Sequence, residues 1–410
     1  MLASQLRIAM LSAHSCPVGK LGAKDTGGMS VYIRELAHEL SKQGHLVDVY
    51  TRVHDPNDQQ VYKLGQSARL IHLTAGRDEE IHKLTVYSHL PEFTDNLESF
   101  RKRNDLRYDL IFSHYWLSGL AGKYLQQWWN IPHVTMFHTL GAVKNTIGVG
   151  EKEPERRLQA ERDLAQNCHY IIAPTDEEKE ELILHYDTLA DRIGVVPCGI
   201  NLEQFKPISK ENARQQLGFD NGKIILFVGR IDPLKGTDKL IRAIPYLQNI
   251  QGLRLVIIGG GEHSQREIEQ LRKLVRNLNI QDSITFAGLI KHEQLPYFYS
   301  AADACVIPSY YESFGLVALE SLACGTPVVA TNVGNFRSII RQGKTGYVVA
   351  DNAPHHLADK IGLILSRPST DIESALSIRA SVSRFSWSNI AESIIKECQL
   401  VLTKYLVPIS

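Results

Sequence analysis

Glu312 and Glu320 are separated by seven residues inside the stretch Cys305 to Ala330, whose composition reads as strand, loop, helix and strand. The apolar run Asp303 to Ile307 is broken by Pro308, and Glu312 falls in the loop that follows. Ser313-Phe314-Gly315 opens a helix, and Gly325-Thr326-Pro327 ends it before the run Val328 to Ala330. In a parallel βαβ step, ligands sit beyond the carboxyl ends of the strands, where this loop lies. The unpaired amides near Phe314, Gly315 and Leu316 suit a phosphate. Glu320, facing the same crevice, is placed to accept hydrogen bonds from sugar or ribose hydroxyls. Each acid alone also fits an ordinary helix-surface or helix-start charge.

Cations and glycines stand at comparable places elsewhere. Gly229-Arg230-Ile231-Asp232-Pro233-Leu234-Lys235-Gly236 follows an apolar run, Ile224 to Val228, and sets Arg230 and Lys235 on the same sheet edge as Ser313. Fixed cations beside helix-start amides make a pocket for a diphosphate. Gly27 and Gly28 lie between the first strand and first helix, where backbone N–H groups can approach an anion. A second polar set comprises His114-Tyr115-Trp116, His138-Thr139, Lys144 and Arg156-Arg157, with His114 and His138 both ending apolar runs. G-x-G-x-x-G is missing after every strand, Gly259-Gly260-Gly261 included, and G-x-x-x-x-G-K-[ST] does not occur. Hydride transfer and nucleoside-triphosphate hydrolysis are therefore disfavoured. No D-x-D triplet and no metal-ligand spacing is present. Metal is expected to be absent from the site, with the cations doing a metal's work.

These residues must be positioned by alternating strands and helices. Strand patterns run over Leu6 to Ala13, Leu46 to Thr51, Leu70 to Leu73, Asp109 to His114, His133 to Phe137, Tyr170 to Ala173 and Gly194 to Pro197. Helical spacing fills Met29 to Lys42, Ser118 to Trp128, Pro154 to Gln166 and Glu177 to Tyr186. The alternation pauses near Asn201 to Asp220, then restarts at Ile224. Two doubly wound Rossmann-like α/β domains facing across a cleft follow, 1–200 and 201–386. A final helix at about 387–410 is expected to pack back on the first domain.

The 410 residues carry 45 Lys plus Arg and 45 Asp plus Glu, a formal net charge of zero. Bulk charge therefore points to no nucleic-acid or anionic-membrane partner. Six scattered cysteines without a C-x-x-C pair read as small core residues in a reducing compartment. No leader opens the chain and no apolar run is long enough to span a bilayer, so a cytoplasmic protein without an integral membrane segment is expected. Oligomeric state is left open, with a homodimer among the options.

With these motifs in place, the whole chain resembles the retaining glycosyltransferases of family 4, in the two-Rossmann-domain GT-B class. The paired carboxylates, the Gly229 to Gly236 run and Gly27-Gly28 carry the likeness. K-D-T-G-G-M-S-V-Y-I (24–33), S-H-Y-W-L-S-G (113–119) and H-T-L-G-A-V-K-N (138–145) are most similar to the D-inositol 3-phosphate glycosyltransferases of mycothiol synthesis. Sucrose-phosphate synthases share much of this but usually carry glutamine at the position of Met29.

The resemblance implies a UDP-sugar donor as co-substrate, a phosphorylated small-molecule acceptor and no required cofactor. It places Arg230 and Lys235 on the donor's diphosphate, with Gly27, Gly28, Ser313, Phe314, Gly315 and Leu316 around it and Glu320 on the ribose. Glu312 and His138 would hold the transferred sugar. Lys83, Tyr115, Thr139 and Arg157 match the positions that hold the acceptor's phosphate. Met29 and Ser30 fall beside the acceptor, Ser30 standing where the family has asparagine. Sucrose-phosphate synthesis from UDP-glucose and fructose 6-phosphate is the nearest competing reading, a same-fold epimerase a further one, and a non-catalytic sugar-nucleotide binder the alternative of another class.

Overall fold

The computed structural model describes residues 5–19, 27–79, 81–261, 264–367 and 371–406. Lys24, Asp25 and Thr26, the start of the K-D-T-G-G run, lie outside the described residues. The first lobe is built on β1 (Arg7–Leu11), β2 (Leu46–Arg52), β3 (Val61–Lys63), β4 (Ala68–Leu73), β5 (Leu110–His114), β6 (His133–Met136), β7 (Tyr170–Ala173) and β8 (Ile193–Val195). The second uses β9 (Ile224–Val228), β10 (Arg254–Ile258), β11 (Ile284–Gly288), β12 (Ala304–Ile307), β13 (Val328–Thr331) and β14 (Gly346–Val349). Strand order is β3-β4-β2-β1-β5-β6-β7-β8 in one sheet and β11-β10-β9-β12-β13-β14 in the other. Every pairing is parallel except β3 with β4.

Parallel strands covered by helices on both faces must be apolar on both. In β1, Ile8 and Met10 join one buried cluster while Ala9 and Leu11 join another. In β9, Ile224 and Leu226 face the same cluster as Ile8, whereas Ile225 and Phe227 face a third. One apolar layer thus runs through both lobes and ties them together. The helix Trp387–Leu406 adds Ile390, Ile394, Cys398 and Val401 to it. That helix is fastened to the first lobe, since Tyr170 donates from its hydroxyl to Glu397 Oε2 at 2.6 Å.

Each sheet reverses its winding once. β1 and β5 flank the reversal in the first sheet, and β9 and β12 flank it in the second. At such a point, neighbouring strands send their loops to opposite faces and leave a crevice at their carboxyl ends. Gly27-Gly28 follows β1, Tyr115 follows β5, Arg230 follows β9 and Glu312 follows β12.

Several helices lie where the residue pattern alone marks none, two of them against the sheets' cores. Leu90–Arg103 buries Leu90, Phe93, Leu97 and Phe100 at helical spacing, and Leu295–Ala301 packs on the second sheet. The helix expected from Ser118 begins at Tyr115, immediately after β5. All six cysteines are buried and free. Among the described residues, no helix is long and apolar enough to cross a membrane.

Candidate active site

A cavity of about 390 Å³ lies between the lobes, at the carboxyl edges of both sheets. Gly27, Gly28, Met29, Lys83, Tyr115, His138, Thr139 and Arg157 reach it from the first lobe. From the second come Arg230, Lys235, Glu312, Ser313, Phe314, Gly315, Leu316 and Glu320. The residues expected to bind donor or acceptor converge here except Ser30, whereas His114, Trp116 and Arg156 of the second polar set do not line the cavity. The Ser30 side chain is fully buried, with its Oγ 2.6 Å from Ser15 Oγ, and does not line the cavity.

On the second lobe the cations differ in their freedom. Lys235 Nζ donates to Glu312 Oε1 at 2.5 Å, and Ser309 Oγ donates to the same oxygen at 2.9 Å. Lys235 and Glu312 therefore act as one oriented pair. Arg230 is half exposed and its nearest carboxylate, Asp232, stands 3.9 Å away, which leaves most of the guanidinium's donors for a ligand. Glu320 is 6% exposed, and its two oxygens accept from Tyr299 (2.7 Å) and pair with His292 Nε2 (2.8 Å). A hydroxyl that bonds Glu320 must use the carboxylate's remaining lone pairs.

Two helix starts meet at the cavity. Leu316–Ala323 begins after Gly315, whose φ of 105° and tight seat against Phe336 admit no side chain: a Cβ would lie 2.2 Å from the Phe336 ring. Gly28–Lys42 begins beside it, and a Cβ on Gly28 would touch Leu316 at 3.4 Å. First-turn amides have no intrahelical partner and carry the positive end of the helix dipole. The Ser313 side chain itself turns away, donating to Glu178 of the first lobe at 2.8 Å.

Across the cavity, Tyr115 and His138 hold positive φ angles of 74° and 60°. Non-glycine residues rarely adopt them, and such strain clusters at functional sites. His138 Nε2 lies 2.9 Å from His114 Nδ1, and the Tyr32 ring packs edge-on at 5.2 Å. Burial pushes the His138 imidazole down to about 3, so it is neutral at working pH. Arg157 is buried, donating to Glu161 Oε1 at 2.7 Å and to the Thr139 carbonyl and hydroxyl at 2.7 and 2.9 Å. Its guanidinium also lies over the Tyr115 ring at 4.9 Å.

Further residues line the cavity, among them His14, Lys144, Tyr311 and His292. His14 follows β1 much as His138 follows β6, so its strand-end position was a usable signal. Its ring lies tilted against that of Tyr115 with centroids 4.5 Å apart, and burial, with Lys83 next in weight, holds its imidazole well below the ordinary value. Lys144 belonged to the polar set without an assigned role. Tyr311 and His292 gave no sequence signal, because only the tertiary fold brings them in. Among the described residues, no group of three His, Cys, Asp or Glu side chains is arranged to hold a metal ion.

Two Rossmann-like units meeting over a cavity edged by cations and helix starts have the GT-B glycosyltransferase architecture. Comparison with known proteins gives the same result along the whole chain. Residues 26–204 match the glycosyltransferase family 4 model and residues 209–380 the model of glycosyl transferases group 1. The D-inositol 3-phosphate glycosyltransferase of Corynebacterium glutamicum is 37% identical over 399 residues, 95% of this chain and 95% of that protein. That of Corynebacterium jeikeium is 38% identical over 401 residues, 95% of this chain and 96% of that protein. Among solved structures, the sucrose-phosphate synthase of Thermosynechococcus elongatus superposes with a TM-score of 0.89 at 33% identity, over 98% of this chain and 100% of that one. An Anabaena protein solved with UDP-glucose shares the fold at a TM-score of 0.74 and 18% identity, over 97% of this chain and 100% of that one. The chain belongs to glycosyltransferase family 4.

Proposed function

We propose that this glycosyltransferase moves a hexosyl group, GlcNAc or glucose, from a UDP-sugar to a phosphorylated cyclitol, with inositol 3-phosphate the acceptor to test first. One observation carries the reading: cations enter a single cavity from both lobes, Arg230 and Lys235 from one side and Lys83, Lys144 and Arg157 from the other. A sugar nucleotide and a phosphorylated acceptor bring two separate anionic groups, one for each set. The relatives named for inositol 3-phosphate support the acceptor, and Met29 on the cavity wall agrees with them.

In this reading the diphosphate lies between Arg230, Lys235 and the amides of Gly28 and Leu316. Cleavage of the C1–O bond leaves an additional negative charge on the departing phosphate and an oxocarbenium-like ring. Preorganised cations and dipoles aimed at that developing charge lower the barrier, each typically by about 3 kcal/mol. No divalent metal is needed. The acceptor oxygen attacks C1 from the leaving group's own face, and the departing phosphate oxygen takes its proton, so configuration is retained. Neutral His138 serves as a hydrogen-bond partner to the sugar's hydroxyls. Glu312, oriented by Lys235 and Ser309, accepts from others.

A second reading, sucrose-phosphate synthesis, is favoured by the 0.89 TM-score to the Thermosynechococcus enzyme. UDP-, GDP- and ADP-sugars crossed against inositol phosphates and hexose phosphates, scored by nucleotide release and product mass, separate the two. The expected product is a glycosylated inositol phosphate formed from a UDP-sugar. Sucrose phosphate as the main product would establish the second reading, and no turnover with any pair would leave a sugar-nucleotide binder.

A further inference from the structure

Glu153 is buried on the short segment between the helices Gly141–Ile147 and Glu155–Asn167. Its Oε1 stands 2.9 Å from Arg157 NH1 and pairs with Lys144 Nζ. Both cations line the cavity, whereas Glu153 sits behind them. The side chain is held from its own backbone: Glu153 N donates to Asn145 Oδ1 at 2.8 Å, and Asn145 Nδ2 donates to the Glu153 carbonyl at 3.1 Å. Burial works against its charge, yet Arg157, Lys144 and Lys83 outweigh it and hold the carboxyl at about 2.

We propose that Glu153 is a built-in counter-anion of the acceptor-phosphate clamp, a positioning residue that sets how tightly the clamp grips a phosphate. The inference rests on the acceptor reading above. Glu153 and Glu161 offset all but one positive charge of Lys83, Lys144 and Arg157. A phosphate monoester brings about −1.5 to −2 charges at pH 7, so it competes with Glu153 for Lys144 and Arg157.

The chemistry gives this competition a use. The acceptor's phosphate takes no part in the transfer, so the glycosylated product carries it unchanged. A clamp of three uncompensated cations holds product as firmly as acceptor, which is uniform binding and adds nothing to turnover. An internal carboxylate weakens both equally and speeds product departure.

The test is inhibition of turnover by inorganic phosphate, measured in the full chain with acceptor varied. Removing one unit charge a few ångström from a bound anion changes affinity by about fivefold at water-like screening and by more in a drier site. Glu153→Gln, which keeps shape and hydrogen-bond acceptance, should lower the phosphate inhibition constant and the acceptor KM by about fivefold or more. Donor KM should not move, and product inhibition should strengthen in parallel. A phosphate inhibition constant equal to or above that of the wild type overturns the role of Glu153. Asn145→Ala, which frees the Glu153 backbone, should shift the constant the same way and carries the test if the glutamine variant does not fold. If phosphate fails to compete with the acceptor even in the wild type, the acceptor reading itself falls. Competition of equal strength in wild type and variant rejects only the inference about Glu153.

Discussion

Ser313 Oγ donates a 2.8 Å hydrogen bond to Glu178 Oε2, tying the loop after β12 to the helix Asp176–Tyr186 of the other lobe. Tyr311, two residues earlier, accepts from the Leu140 amide at 3.2 Å, a second tie across the same gap. Burial, reinforced by Glu161 and opposed by the Ser313 bond, raises the Glu178 carboxyl from 4.5 to about 8. A raised carboxyl favours the folded state below its unfolded value, and the advantage is lost as pH climbs through the folded value. Stability attributable to Glu178 should therefore be full below about pH 4.5 and lost by about pH 8. Glu178→Gln should flatten the fall in thermal midpoint across that window, and parallel curves for the two proteins would refute the assignment.

Gly315→Ala tests the donor turn. The substitution meets both a φ of 105° and the Phe336 ring. Alanine at a positive-φ site destabilises by more than about 1 kcal/mol. The denaturant midpoint should drop accordingly and donor KM should rise. An unchanged midpoint would mean that the turn relaxes freely and that its geometry does not matter.

Much of this arrangement was legible in the chain. The apolar runs Ile224 to Val228 and Asp303 to Ile307 have the length and flanks of buried strands, and glycine and cation clusters behind them marked their carboxyl ends. The burial of Ser30 was not legible, because an N-terminal helix position does not reveal which way its side chain turns. Here Ser15 captures it. The pairing of Lys235 with Glu312, 77 residues apart, and of Glu320 with His292 and Tyr299 depends on how separate loops pack. No local spacing encodes that. The helix Leu90–Arg103 did carry its signal, in Leu90, Phe93, Leu97 and Phe100.

His138 should contribute through hydrogen bonding rather than titration. Burial holds its imidazole at about 3, so its protonation does not change between pH 5 and 8. His138→Ala should lower kcat by roughly a hundredfold, the scale of one lost transition-state partner. Its pH–rate profile should keep the wild-type shape at reduced height. Loss of an acidic limb from the profile would identify His138 as a proton-transfer group and contradict this role.

The division of the two substrates between opposing cation sets is tested most directly by steady-state kinetics of Arg230→Ala beside Lys83→Ala, with each substrate varied in turn. Arg230→Ala should cut kcat about a hundredfold while leaving acceptor KM near wild type. Lys83→Ala should raise acceptor KM far more than donor KM. Near-normal turnover without Arg230, or equal shifts in both KM values without Lys83, would contradict the account.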